Sequence, residues 1–274
     1  MKIIGKFLKF IALMMFLILA LVPLYWVIIT SLKNSKEIYT FPIKYLPELI
    51  SFESYRKLFA FTNFAIYFKN SLTVALIASF GALLISMFSG YAISRYSFKF
   101  KKYILLSLFF TQMIPIFMVM VPLYEMFSKV RMLDKLITLI ILYTNMMIPF
   151  STIMAKAFFD RIPVSLEEAA EIDGCSKQQA LFKIVLPLTL PGLAAIFSFS
   201  FINTWNELFL AVMFINSDAK MTIPVALNSF VSKMGVGWEL MSAGIVIALL
   251  PTIIVFAFAQ RYIVSGLTEG VIKG

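Results

Sequence analysis

The sequence predicts an all-α protein that crosses a membrane several times, and three observations carry that prediction. Hydrophobic residues make up 61% of the 274 and charged residues only 14%, against about 25% charged in water-soluble domains. Mean hydropathy is +0.93. Mostly apolar runs long enough for a roughly 30 Å hydrocarbon layer recur along the chain. None of them has the period-two alternation of a membrane β-barrel.

Six runs are read as spanning helices: 8–30, 71–94, 103–127, 136–158, 190–215 and 240–262. Lys2, Lys6 and Lys9 before the first resemble the start of a signal peptide. That run is too long for a signal core, however, and no small-x-small cleavage site follows it, so it is expected to remain as the first helix. The short 95–102 connection carries Arg95, Lys99, Lys101 and Lys102 without an acid. Basic short loops stay on the cytoplasmic side, which makes the chain N-in and, with six spans, C-in. The basic 31–69 segment is long and therefore counts for less. Trp26 and Trp238 then fall near the outer interface. Pro115, Pro122, Pro149 and Pro251 lie in or near spans, as kinks, helix breaks or packing irregularities. Met113, Met118, Met120, Met146 and Met147, with the many phenylalanines, read as adaptable packing and lipid-facing surface.

Composition also excludes functions. The net charge of +10 is spread over loops, with no basic helical face or aromatic platform, so no nucleic-acid partner is expected. There is no histidine and a single cysteine, Cys175. Histidine acid–base catalysis, an internal disulfide and a cysteine-based metal site are thereby ruled out, and no metal ligand set is expected.

The 159–189 connection is longer than joining two helices requires, and it has a grammar of its own. Ser165 with Glu168 reads as an N-cap and capping box, after Pro163. A helix is predicted over 166–173, with Gly174 taking the left-handed position past its end. Glu167, Glu168, Glu171 and Asp173 make that helix acidic, its early members suiting the positive end of its dipole. Ser176 with Gln179 caps a second helix that carries Ala180, Leu181, Ile184 and Val185 on one face, and Pro187 is expected to stop it. An interfacial helix seeking anionic lipid should be basic. The acidic sign favours docking of a protein.

Glu168-Ala169-Ala170, Gly174 after three residues, Ile184 after nine more, and Leu186-Pro187 after one form EAA-x3-G-x9-I-x-LP. This resembles the cytoplasmic signature of binding-protein-dependent ABC importer permeases of the type I fold, with every position met. Trp205-Asn206-Glu207 and the C-terminal 266–274 segment are similar to the carbohydrate-uptake branch, in particular to the second permease of maltose-type systems. Family-like features cover residues 65–274.

The resemblance implies a multi-pass subunit of a bacterial or archaeal cytoplasmic membrane. It would work with a cytoplasmic ABC ATPase dimer, a second homologous permease, an extracytoplasmic solute-binding protein and membrane lipid. Residues 1–69 would form the first helix and an outer loop, 70–262 the permease core with the 159–189 coupling loop, and 263–274 a cytoplasmic tail. Glu168 would contact the ATPase, with Ala169 and Ala170 allowing close approach and Gly174 the turn. Ile184, Leu186 and Pro187 would anchor the loop to the bundle. Thr268, Gly270 and Lys273 in the tail would reach the ATPase as well. No G-x-x-x-x-G-K-[ST] phosphate loop occurs, so no cofactor is expected on this chain and ATP–Mg belongs on the partner. The protein is then a transport subunit for a sugar or sugar-like solute, not an enzyme.

For the path itself, Asn203, Asn206 and Glu207 share one face of a helical fifth span by i, i+3 and i+4 spacing. Polar and acidic groups at membrane depth usually face a cavity or a partner. Helix–helix contact or an interfacial position is the plainer reading, as it is for Glu125. The alternative to an ATP-driven importer is an ion-gradient-driven secondary transporter. That class typically shows inverted repeats and buried carboxylates. Here only Glu207 offers such a group, and no repeat is evident.

Overall fold

A computed structural model of the chain describes residues 2–232 and 235–268, with side chains described over 5–231 and 235–260. It is almost wholly helical. Helix α1, Lys2–Ser31, is followed by the short α2, Ser35–Ile38, and α3, Glu53–Phe61, which fold the 31–69 segment over one end of the bundle. Then come α4, Phe64–Arg95, the pair α5, Lys101–Met113, and α6, Ile116–Lys129, and α7, Leu136–Phe159. The loop holds α8, Val164–Ile172, and α9, Lys177–Ala180, which runs through a π turn at Leu181–Val185 into α10, Leu186–Trp205. After a break come α11, Phe209–Phe214, a 3₁₀ turn at Asp218–Lys220, and α12, Ile223–Ser229. A two-stranded ribbon of β1, Val231–Ser232, and β2, Gly235–Val236, leads to α13, Trp238–Thr268.

Among the described residues five helices are long and apolar enough to span a membrane, or six if α5 and α6 count as one bent span. The expected third span is therefore not one straight helix: α5 and α6 meet at 97°. Pro115 has no N–H for a helical bond and forces the preceding residue out of helical space. Ile114 accordingly takes ψ 115° and Pro115 ψ 132°. The fifth span also differs from expectation. It begins well before residue 190, because Pro187 does not stop the helix, and it ends at Trp205 rather than at 215. The π turn shifts the hydrogen-bond register, with Leu186 N–H reaching the Leu181 carbonyl. Pro187, next in the chain, follows that register shift directly, and the helix runs on through it into α10.

The α4–α7 pair is the centre of the bundle. Ser71, Ala75, Ala78, Ala82, Ser86 and Gly90 form a buried stripe of small residues along α4. Small residues allow close backbone approach in lipid, where apolar attraction between helices is weak. At Gly90 an added Cβ would lie 2.6 Å from that of Ala155 and 2.9 Å from the Lys156 nitrogen. Gly192 is equally closed, against the Phe158 ring. Hydroxyls join these two helices to each other, Ser89 to Thr152 at 3.0 Å, and each of them to α10, Ser79 to Thr204 at 3.2 Å and Ser151 to Ser200 at 3.3 Å. By contrast, no residue in the apolar window of α1 is buried.

Three clusters fill the interior. One, around Tyr143, Leu139, Phe214 and Leu210, packs α7 on α11. A second joins Phe64, Phe201, Trp205 and Ile223. The third, with Tyr91, Phe159, Leu181, Val185 and Ile196, fastens the π turn to the loop ends of α4 and α7.

Candidate functional site

The 159–189 loop is built by local backbone chemistry. Helix α8 starts two residues earlier than expected, with Pro163 at the cap and no side-chain cap bond, so Ser165 lies inside the helix instead of capping it. Proline in extended conformation sets that start without a hydroxyl. At the other end Gly174 takes φ +87°. Cys175 N–H then reaches the Ala170 carbonyl at 2.9 Å and Gly174 N–H the Glu171 carbonyl at 3.1 Å, the paired bonds of a glycine-ended helix. Ser176 forms the expected capping box: its hydroxyl accepts from Gln179 N–H, and the Gln179 side chain accepts from Ser176 N–H.

On this frame Glu168 and Ala169 are exposed, as are Gly174 and Pro187, while Ala170 is buried and Ile184 and Leu186 are half-buried. Leu186 packs against the cluster of Tyr91, Phe159 and Val185. Ile172, at the tip of α8, is 87% exposed. The outward face thus combines an acid, a small residue and an uncovered isoleucine, the composition of a docking surface rather than of a solvated connector.

Sequence reasoning missed the residue that holds this frame. Glu167, counted only among the acids of the first loop helix, turns inward: Arg95 Nε donates to its Oε1 and Tyr91 Oη donates to its Oε2 at 2.6 Å. Arg95 also donates to the Ile162 carbonyl at 2.9 Å. The paired side chains are only 8% and 10% exposed. One turn away Ser94 donates to Asp160 at 2.6 Å, and Lys156 pairs with the same carboxylate. Burial alone would raise the Asp160 pKa, but the Lys156 and Ser94 bonds outweigh it and hold the carboxyl below its ordinary range. The loop end of α4 is thereby pinned to both ends of the α7–α8 turn.

The polar trio lies at the other end of α10. Twenty residues at 1.5 Å each put Asn206 about 30 Å along the helix from Leu186. The expected continuous face is broken, since Asn206 is the C-cap and Glu207 sits in the α10–α11 gap. Even so, Asn203, Asn206 and Glu207 all line one cavity of about 340 Å³. Tyr143, Met146 and Met147 of α7 and Ile116 of α6 complete its wall. Glu207 is held firmly, accepting from Tyr143 Oη at 2.6 Å and from the N–H groups of Leu210 and Ala211 at 3.0 and 3.2 Å. It therefore caps α11 as well as facing the cavity. Asn203 and Asn206 spend their amide N–H groups on the Phe199 and Ile202 carbonyls. Asn206 also borders a second cavity of about 320 Å³, beside Trp205 and Asn228. Glu125 is exposed, away from both. The tail residues Gly270 and Lys273 lie outside the described residues, and so does the side chain of Thr268.

A bundle of long apolar helices, with a cavity that holds a few polar groups at one end of α10 and an exposed folded loop at the other, defines a multi-pass membrane protein. Residues 82–269 match the model of the family described as "Binding-protein-dependent transport system inner membrane component", and the chain belongs to that family. It is 35% identical over 270 residues to the sulfoquinovosyl glycerol transport system permease protein of Agrobacterium fabrum, covering 98% of this chain and 95% of the relative. It is 33% identical to the diacetylchitobiose uptake system permease protein of Streptomyces coelicolor, covering 92% and 91%. Its fold is similar to a chain in the crystal structure of a bacterial ABC transporter involved in the import of the acidic polysaccharide alginate. That similarity has a TM-score of 0.83 at 23% identity and covers 94% of this chain and 96% of the other. Members of such systems are transport components, and this chain is not an enzyme.

Proposed function

We propose that the chain is one of two membrane-spanning subunits of an ATP-driven importer for a glycoside or short oligosaccharide, lying N-in and C-in in a bacterial cytoplasmic membrane. A second permease would complete the path, an extracytoplasmic binding protein would deliver the solute, and a separate ATPase dimer would hold ATP and magnesium. The observation that carries the reading is the EAA loop, folded on a glycine-ended helix with Glu168, Ala169 and Ile172 turned outward. The carbohydrate class is supported by the substrates in the relatives' names.

In this reading α8 seats in a cleft of the ATPase, with Glu168 as its polar contact. Movement there passes through the Arg95–Glu167 pair into α4 and through the unbroken α9–α10 rod toward the cavity of Asn203, Asn206 and Glu207. Asn and Glu oxygens over a Tyr and Met wall suit sugar hydroxyls and the apolar faces of a pyranose ring. The tail, with Thr268, Gly270 and Lys273, would add a contact to the ATPase.

Transport in sealed vesicles tests the energy source. It should persist when proton and sodium gradients are collapsed and stop when internal ATP is removed; the opposite pattern would refute the importer reading. Copurification tests the loop: a Glu168→Ala/Gly174→Val variant should lose its ATPase, and a variant retaining full complex and uptake rules the docking role out.

A further inference from the structure

A further cavity, of about 200 Å³, lies where two spans end together, between the last turns of α1 and the first turns of α13. The segment after α1 folds over it. Trp26, Thr30 and Lys33 line it from the α1 side, Glu37 from α2, and Trp238 and Ser242 from α13. Its walls are well fixed. Trp26 meets the Tyr45 ring edge-on at 5.9 Å, and Tyr39 Oη donates to Glu239 at 3.0 Å, tying the covering segment to α13.

Two buried polar groups on these walls are under-used. Lys33 is only 3% exposed. Its ammonium donates to the Lys44 carbonyl and stands 4.8 Å from the centre of the Trp26 ring. Among the described residues it is paired with no carboxylate. A buried charge ordinarily has a counter-charge, because leaving water without one is costly. Thr30 is 7% exposed, and its hydroxyl oxygen has no hydrogen-bond partner. Both face the cavity. Glu37, on the same wall, accepts from the Glu48 N–H but forms no ion pair with Lys33. The cavity thus offers a cation and a hydroxyl for an anionic group, with a carboxylate and aromatic faces for a cationic one.

We propose that this cavity binds the headgroup of a zwitterionic phospholipid of the phosphoethanolamine class. The phosphate takes the free donors of Lys33 and the Thr30 hydroxyl, while the headgroup ammonium lies toward Glu37 and Trp238. The site sits where spanning helices end, which is headgroup level whichever way the chain is oriented. The uncovered apolar faces of α1 provide the track for the acyl chains. The proposal needs only that α1 and α13 span the bilayer, and it stands apart from the reading of the EAA loop.

The test uses the full chain in its assembled complex, purified in detergent and stripped of lipid. It is titrated with dioleoyl phosphatidylethanolamine, dioleoyl phosphatidylglycerol and free O-phosphoethanolamine, and bound molecules are counted by native mass spectrometry. Phosphatidylethanolamine is expected to bind roughly tenfold more tightly than either competitor, a difference of about 1.4 kcal/mol. Lys33→Met, which removes a phosphate contact common to both lipids, should weaken both, and Glu37→Gln should make the two lipids equivalent. Because Lys33 also holds the Lys44 carbonyl, Val27→Phe provides a second variant that fills the cavity from α1 and leaves that bond intact; it should expel the lipid. Undiminished retention in Val27→Phe overturns the proposal, as does equal binding of phosphatidylglycerol by the unmodified chain. Equal or tighter binding of free O-phosphoethanolamine would refute a lipid-specific site.

Discussion

Glu167 and Glu168 are neighbours of the same type, yet the fold gives them opposite work. Glu168 faces outward, whereas Glu167 is buried against Arg95 and Tyr91. Removing one partner of a buried ion pair typically costs about 3–5 kcal/mol, because the other charge stays behind unpaired. Glu167→Gln should therefore loosen α8, seen as faster amide hydrogen exchange over 164–175 and as ATPase activity that no longer drives uptake. Replacing both partners, Arg95→Met with Glu167→Leu, should recover much of the lost stability but not the coupling. Recovery of both would mean that the pair only fills space. At Gly174, φ +87° puts a Cβ in the left-handed region at about 1–2 kcal/mol. Since nothing lies within 4 Å of that Cβ, Gly174→Ala should cost about that much by strain alone, and Gly174→Asn less, read as the midpoint of α8 melting.

Among the elements, the α4–α7 contact decides the bundle's geometry. Gly90→Ala should destabilise by about 1–3 kcal/mol, since the added methyl meets the Ala155 Cβ and the backbone at Lys156, neither of which can rotate away. Gly5→Ala, on an uncovered face of α1 with nothing within 4 Å, is the matched control and should not lower the thermal midpoint in detergent. Apolar length and capping residues made most helices legible, and the Ser176–Gln179 box and Gly174 turn were readable in full. The small-residue stripe on α4 was not read, because it has meaning only opposite α7. Nor was the true extent of α10: Pro187 looks like a terminator in sequence, and only the π turn before it lets the helix pass. The sharp break at Pro115 was one of several readings that proline allowed.

The whole molecule is laced at the end away from the loop by two carboxylates. Asp218 accepts from Tyr67 Oη at 2.6 Å and Asn63 at 2.7 Å, and these bonds hold its carboxyl below its ordinary value of 3.8. Burial pushes Asp134 upward, but Lys220 at 2.8 Å and the Ser217 and Asn216 donors outweigh it and hold it well below that value. A depressed carboxyl stabilises the fold fully above its unfolded pKa and loses that contribution as pH falls through its folded one. The thermal midpoint should thus be insensitive to these groups from pH 7 down to about 4 and fall below that. Asp218→Asn should lower the midpoint at pH 7 and flatten the acid slope; an unchanged slope would assign the acid loss elsewhere.

Sequence by itself determined the membrane class, the approximate spans, the family signature and the local shape of the loop, because hydrophobic length and capping act over a few residues. Only the tertiary structure decided which acid faces outward and which is buried. Glu167 and Arg95 are 72 residues apart, and no periodicity links them. It also decided that Asn203, Asn206 and Glu207 meet Tyr143 around a cavity across a broken helix, and that Lys33 and Thr30 close on another with unfilled donors. Those are matters of which distant surfaces come together, which depends on how closely the helices pack.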